Sequence, residues 1–244
     1  VTRTWHSWHS RPLVGFDLET TGTDPESDRI VSAAVVRWGG GKPTESLTWL
    51  ADPGVEIPAQ ATAIHKITTE AARSAGRPAP DVIEEITEVL ADAVAEGLPI
   101  VVMNASYDLT LLDREARRHG TAPLSIRSAP RVLDPKVLDK EVDRYRRGKR
   151  TLSALCEHYV VPLEGAHNSE ADAKAACAVT WKIAKRYWWL TTKYSLGELH
   201  DAQVRWARRH AEGLRDHYAS SGQHERAADV RLDWPLSPAG GGPR

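Results

Sequence analysis

Two carboxylates interrupt what is otherwise an apolar strand. The stretch Val14-Gly15-Phe16-Asp17-Leu18-Glu19-Thr20-Thr21-Gly22 has the apolar content of a buried β-strand, and in a strand residues two apart point to one face, about 6–7 Å along the chain. Asp17 and Glu19 therefore share one small space. Like charges held that close in a half-buried setting repel, so at least one pKa rises unless a cation compensates them. A D-x-E triplet at the exposed end of a strand, just before the Thr20-Thr21-Gly22 turn, needs no metal. Its meaning rests on other acids in the chain.

The runs Arg29 to Gly40 and Glu45 to Pro53 are rich in β-formers and separated by a Gly-Gly-Gly-Lys-Pro turn, which predicts a hairpin and, with the first strand, a three-stranded meander. The chain then changes character. The segment around His65 reads as a loop, Ala79 to Gly97 has helical spacing, and Leu98 to Asn104 is a short apolar strand. A helix from Ala105 ends at Gly120 with basic residues in its last turns. A short strand before Pro135, a helix near Leu152 to Tyr159 and a long helix from about Ser169 follow. This order predicts an α/β fold, a mixed sheet flanked by helices. The expected divisions are an irregular leader over 1–11, the main domain over 12–190, a helical C-terminal extension over 191–236 and a disordered tail over 237–244.

With 41% apolar residues the chain can bury a sizeable core, and a net charge of −1 excludes a uniformly basic nucleic-acid coat while leaving room for a local basic patch. Cys156 and Cys177 have no metal-ligand spacing and read as buried thiols of a reducing compartment. No apolar run reaches transmembrane length and the leader Val1 to Ser10 lacks the apolar core of a signal peptide, so the expected location is cytoplasmic, with no membrane partner. The doubled Trp-His-Ser of the leader is assigned no role.

Two further acids fall where the fold would bring them to the first pair. Asp108 lies in the first turn of the helix after the strand ending at Asn104, with Asn104 as a natural N-cap. Asp172 lies at the start of the long helix, where Ser169 and Asp172 approximate a capping box. Taken singly, both acids read as helix-terminal partners of the dipole. His167 changes that balance. In a continuous helix it would stand about 140° from Asp172, but if Asn168 or Ser169 caps the helix, His167 sits on the preceding loop and is free to fold over the same carboxylates.

Together these motifs resemble the DnaQ-like 3′–5′ exonucleases of the DEDDh type, in the ribonuclease H-like superfamily. The resemblance spans about residues 12 to 186 and rests on Phe16 to Gly22 with Asp17 and Glu19, on Asn104 to Asp108, and on His167 to Asp172. The stretch Ala61 to Thr68 also looks like the family's loop whose histidine lies beside the substrate terminus. Lys66 stands where a glycine is usual, Met103 where a histidine is common and Tyr107 where a phenylalanine is common.

The resemblance implies a ribonuclease H-like sheet and two divalent ions on Asp17, Glu19, Asp108 and Asp172. Asp17 would bridge the ions, Glu19 and Asp172 would hold the one carrying the water, and Asp108 would support the other. Hard oxygen ligands favour Mg²⁺ or Mn²⁺. It further implies His167 as general base, and Thr20, His65, Asn104 and Tyr107 as substrate contacts. The implied partner is a nucleic-acid 3′ end, single-stranded or frayed DNA, released as nucleoside 5′-monophosphates; a DNA polymerase is a further implied partner.

Between the second and third motifs, Lys140 to Arg150 concentrates basic residues around Tyr145. Arg144, Arg146 and Arg147 are candidate phosphate contacts, although a charge run is equally a solvated face. In the C-terminal extension, a helix docking back on the domain is the simpler reading of Trp206 and its arginine neighbours. An exoribonuclease, a catalytically silent nucleic-acid-binding module and a ribonuclease H-like endonuclease are the competing readings. Four converging acids argue against the module, and His167 against the endonuclease.

Overall fold

The computed structural model describes residues 7–239. Its strands are β1 (Pro12–Thr20), β2 (Ile30–Gly39), β3 (Glu45–Asp52), β4 (Arg77–Pro78), β5 (Ile100–Val101) and β6 (Val132–Leu133). They form one mixed sheet in the order β4-β3-β2-β1-β5-β6. β1, β2 and β3 are the antiparallel meander, whereas β5 and β6 run parallel beside β1. The β2–β3 turn passes through Gly39, Gly40 and Gly41, all at positive φ of 65–82°, a run that only glycine adopts without strain.

The helices are α1 (Ala59–His65), α2 (Thr69–Ala75), α3 (Ala79–Ala95), α4 (Ala105–Arg118), α5 (Leu124–Arg127), α6 (Pro135–Val142), α7 (Leu152–Tyr159), α8 (Ser169–Arg186), α9 (Trp189–Thr192), α10 (Leu196–Ser220) and α11 (His224–Ala228). Paired residues of an antiparallel ladder share a face. Phe16, Leu18, Ala33 and Val35 therefore form one face, which joins the core with Ile83 and Ile86 of α3. On the other, Ala34 and Val36 pack with Ala173 of α8. Gly15 lets α8 come this close, since a Cβ there would lie 2.5 Å from the Ala173 carbonyl oxygen and 2.9 Å from Cys177 Sγ.

Three expectations need correcting. The segment expected as a loop around His65 is helical: α1 closes at His65, and Lys66 follows in the left-handed conformation, φ 65° and ψ 9°, with its N–H on the Thr62 carbonyl. This is the backbone state that glycine takes at a helix end. Trp8, assigned to an irregular leader, packs into the core at 5% exposure from a 3₁₀ turn; residues 1–6 of that leader lie outside the described residues. Ser237, expected in a disordered tail, is buried and donates its N–H to Thr110 Oγ1 at 3.0 Å, while residues 240–244 lie outside the described residues.

The C-terminal extension docks on the sheet edge. α10 starts with a complete capping box of Ser195 and Glu198, and its fully buried Gln203 donates to the Val132 carbonyl at 3.0 Å and accepts from the Asp134 N–H at 2.9 Å. These side-chain bonds replace the missing neighbour of the edge strand β6. Cys156 and Cys177 are free, buried thiols. Among the described residues no helix is long and apolar enough to cross a membrane.

Candidate active site

Asp17 and Glu19 lie on the face of β1 that meets α8, and the close approach permitted by Gly15 sets Asp172, in the first turn of α8, over them. Single carboxylate oxygens of Asp17, Glu19 and Asp172 fall within 4.8 Å of one another. Among the described residues no Lys or Arg pairs with them. Their electrostatics follow. Burial, then the charges of Asp108, Asp172 and Glu19, hold Asp17 well above the usual carboxylate range. Burial and then Asp172 push Glu19 up to about 7. Burial raises Asp172 as well, opposed by the backbone N–H of His167 and by the His167 charge. Asp172 Oδ1 is buried with no hydrogen-bond partner.

Asp108 arrives from the other side of β1. β5 pairs with β1 only at Val14 and Gly15, so the Leu18 N–H has lost its strand partner on that edge. Asp108 Oδ1 accepts it at 3.2 Å. Burial raises the Asp108 pKa, and Asp134 and Glu19 raise it further, against the pull of two backbone N–H groups. Asp108 is thus beside the cluster and in its field, but one of its oxygens is already engaged by β1.

The cap of α4 departs from expectation. Asn104 occupies the N-cap position in the left-handed region, φ 65° and ψ 48°, and its side chain makes no capping bond. Its Oδ1 accepts from Lys136 Nζ at 2.8 Å. The cap is supplied by Asp134, 1% exposed, whose carboxylate accepts from the N–H groups of Asn104 at 3.3 Å, Ala105 at 3.1 Å and Lys136 at 2.8 Å. An Asp before Pro135 is a legible N-cap for α6; its second duty toward α4 was not.

The histidines and hydroxyls border the acids. Asn168 caps α8 through the Ala171 N–H, which leaves His167 on the loop, exposed, at φ 66°, with its N–H on Asp172 Oδ2 at 3.1 Å. His65 is buried at the end of α1, its Nδ1 accepting from the Ile67 N–H at 3.1 Å and its Nε2 left without a partner. Burial lowers its pKa, and the nearby His167 lowers it further. The Tyr107 hydroxyl is 2.7 Å from Thr20 Oγ1 and donates to the Gly22 carbonyl at 2.6 Å. This ties the turn after β1 to α4.

A family model described as exonuclease, of the RNase T type, matches residues 14–180, from β1 through most of α8. The chain belongs to that exonuclease family. Its sequence relatives include the PolC-type DNA polymerase III of Lacticaseibacillus paracasei, 26% identical over 192 residues, which cover 79% of this chain and 12% of that protein. The chain therefore spans a small part of the PolC-type relatives. The DNA polymerase III subunit epsilon of Aquifex aeolicus is 25% identical over 189 residues, covering 77% of this chain and 86% of that one. Two solved structures share the fold. Escherichia coli exonuclease I in complex with a dT13 oligonucleotide has a TM-score of 0.61 at 17% identity over 75% of this chain and 44% of that one. Exonuclease X in complex with 5′-overhanging duplex DNA has a TM-score of 0.55 at 21% identity, over 78% and 99%. The family is thus one of exonucleases, and the Asp17, Glu19 and Asp172 carboxylates form a group that could hold a metal ion.

In this exonuclease the basic segment divides in two. Arg144 and Arg147 are exposed. Arg146 is turned inward, with Nη2 on Oδ2 of the fully buried Asp139 at 2.8 Å, where Arg150 Nε at 2.7 Å and the Tyr159 hydroxyl on Oδ1 at 2.8 Å complete the coordination. Arg146 is therefore engaged by Asp139, whereas Arg144 and Arg147, the other two candidate phosphate contacts, are exposed.

Proposed function

We propose that the chain removes nucleotides one at a time from the 3′ end of DNA, releasing nucleoside 5′-monophosphates. The observation that carries this reading is the convergence of single carboxylate oxygens of Asp17, Glu19 and Asp172 within 4.8 Å, with no Lys or Arg among the described residues paired to them. A set of carboxylates held above their usual range, with the buried Asp172 Oδ1 unpartnered, suits hard divalent cations. Asp17, Glu19, Asp108 and Asp172 would hold two Mg²⁺ or Mn²⁺ ions, whose chemistry when bound is to stabilise the attacking and leaving oxygens of an in-line displacement.

The chain's own groups do the rest. The imidazole of His167 takes the proton of the attacking water as its oxygen bonds to phosphorus, and the bond to the 3′ oxygen of the preceding nucleotide breaks. His65, Thr20, Asn104 and Tyr107 position the terminal nucleotide. The polymerase III relatives support DNA as substrate and a polymerase as partner. The exonuclease domain is read as 12–190 and the extension as 191–236.

The test is digestion of end-labelled single strands and mismatched duplexes, DNA and RNA, with Mg²⁺, Mn²⁺ or chelator. A 5′-label that shortens in single-nucleotide steps only with metal is the expected result. Internal cuts, 5′-end removal or chelator-resistant activity would overturn it, and faster digestion of RNA would reassign the substrate.

A further inference from the structure

The family match ends at residue 180, yet residues beyond it build one wall of a groove whose other wall includes Tyr107, the residue before Asp108. The groove has a volume of about 490 Å³, within the range of about 300–1,000 Å³ usual for ligand sites. Thr23, Ser106 and Tyr107 line it from the catalytic side; Leu214, Tyr218 and Arg226 face them from α10 and α11. Tyr107 joins the groove to the acids, because it precedes Asp108 in α4 and its hydroxyl holds Thr20, the neighbour of Glu19.

The far wall is unusual in its chemistry. Leu214 and Tyr218 are four residues apart and so lie on one face of α10, but Leu214 is 41% exposed although Trp206, two turns earlier, is buried. The apolar stripe of this helix continues past the domain core and into the groove. There the guanidinium carbon of Arg226 lies 4.6 Å from the Tyr218 ring centroid, and Arg226 is exposed, leaving a flat, cationic stacking surface. Arg231 also lines the groove, held by Glu26 at 3.1 Å, with Asp229 the acid among the lining residues.

We propose that this groove is a subsite for single-stranded nucleic acid, in which bases next to the scissile phosphate stack on the Arg226–Tyr218 pair. The inference rests on the exonuclease reading above and adds to it a binding role for the C-terminal extension. Bases stack on aromatic rings and guanidinium planes whatever their sequence, and Arg226 supplies charge toward phosphate. Continuity with Tyr107 and Thr20 selects the enzyme's own strand as the occupant over a protein segment.

The experiment uses the full chain carrying Tyr218→Ala or Arg226→Ala. Two substrates are compared: a single-stranded oligothymidylate, and the p-nitrophenyl ester of thymidine 5′-monophosphate, which has no second nucleotide to place in the groove. The KM for the oligonucleotide should rise about tenfold in each variant, with its kcat retained and ester hydrolysis retained. An unchanged KM overturns the subsite. Loss of ester hydrolysis alongside makes the two residues structural and also overturns it. If the parent hydrolyses neither substrate, the exonuclease reading falls and fluorescence anisotropy of labelled oligothymidylate decides the groove alone: about tenfold weaker binding in the variants supports it, and equal binding overturns it.

Discussion

The indole Nε1–H of Trp234 donates to Asp134 Oδ2 at 3.3 Å, the same oxygen that accepts the Ala105 N–H. The C-terminal segment is thereby tied to the start of the helix that presents Asp108. Removing the carboxylate leaves the buried N–H of Ala105 unsatisfied, at a cost of about 1–3 kcal/mol, and frees the part-buried N–H groups of Asn104 and Lys136. Asp134→Ala should lose about 1–3 kcal/mol in urea unfolding and weaken metal-induced stabilisation, whereas Trp234→Phe, which removes a fourth donor to that carboxylate, should cost about 1 kcal/mol. Equal stability of Asp134→Ala and the parent would show that the cap carries no weight.

Crowded carboxylates make the metal-free protein pH-sensitive. The Glu19 pKa moves from 4.5 to about 7 on folding, so the folded state favours the protonated form. Its contribution to stability is full below pH about 4.5 and is lost as pH rises through about 7. In chelator, Glu19→Gln should match the parent in Tm at pH about 4.5 and exceed it at pH about 8, while Mg²⁺ should raise the Tm of the parent by mass action. A constant difference across that range would remove Glu19 as its source.

Asp17 is surrounded by the other three acids. Asp17→Asn should abolish nearly all hydrolysis while leaving the metal-free protein as stable as the parent or more so at neutral pH, because a repelling charge is gone. Undiminished Mg²⁺-dependent activity would remove Asp17 from the site.

His167 touches the cluster through its backbone N–H, which alanine keeps. His167→Ala should retain the Mg²⁺-induced rise in Tm and oligonucleotide binding, yet lose about 10²–10⁴ in turnover. Loss of metal stabilisation together with activity would instead make the histidine a ligand or a structural group.

The arginines of the basic segment should separate. Arg144→Ala with Arg147→Ala should weaken oligonucleotide binding and reduce the slope of log K against log salt by about 1.4, two contacts at about 0.7 each on a single strand. Arg146→Ala should instead destabilise the fold by about 3 kcal/mol, since it removes a partner of buried Asp139. An unchanged salt slope would return Arg144 and Arg147 to the solvated surface.

Much of the site was legible in sequence because its parts are local. The two-residue period of a strand puts Asp17 and Glu19 on one face. Asn168 at the head of α8 leaves His167 on a loop, and the apolar runs and turn residues mark the meander and the long helices. Tertiary structure decided what depends on partners far apart in the chain. Asp139 is an ordinary helix residue until Arg146, Arg150 and Tyr159 converge on it; Asp134 marks only α6 until Ala105 and Trp234 arrive. Gly15 carries no signal by itself, and its need for a missing side chain appears only where α8 crosses β1. Local hydrogen bonding and side-chain period act within a few residues and so are written in order along the sequence, whereas burial and the pairing of buried charge depend on which distant segments meet.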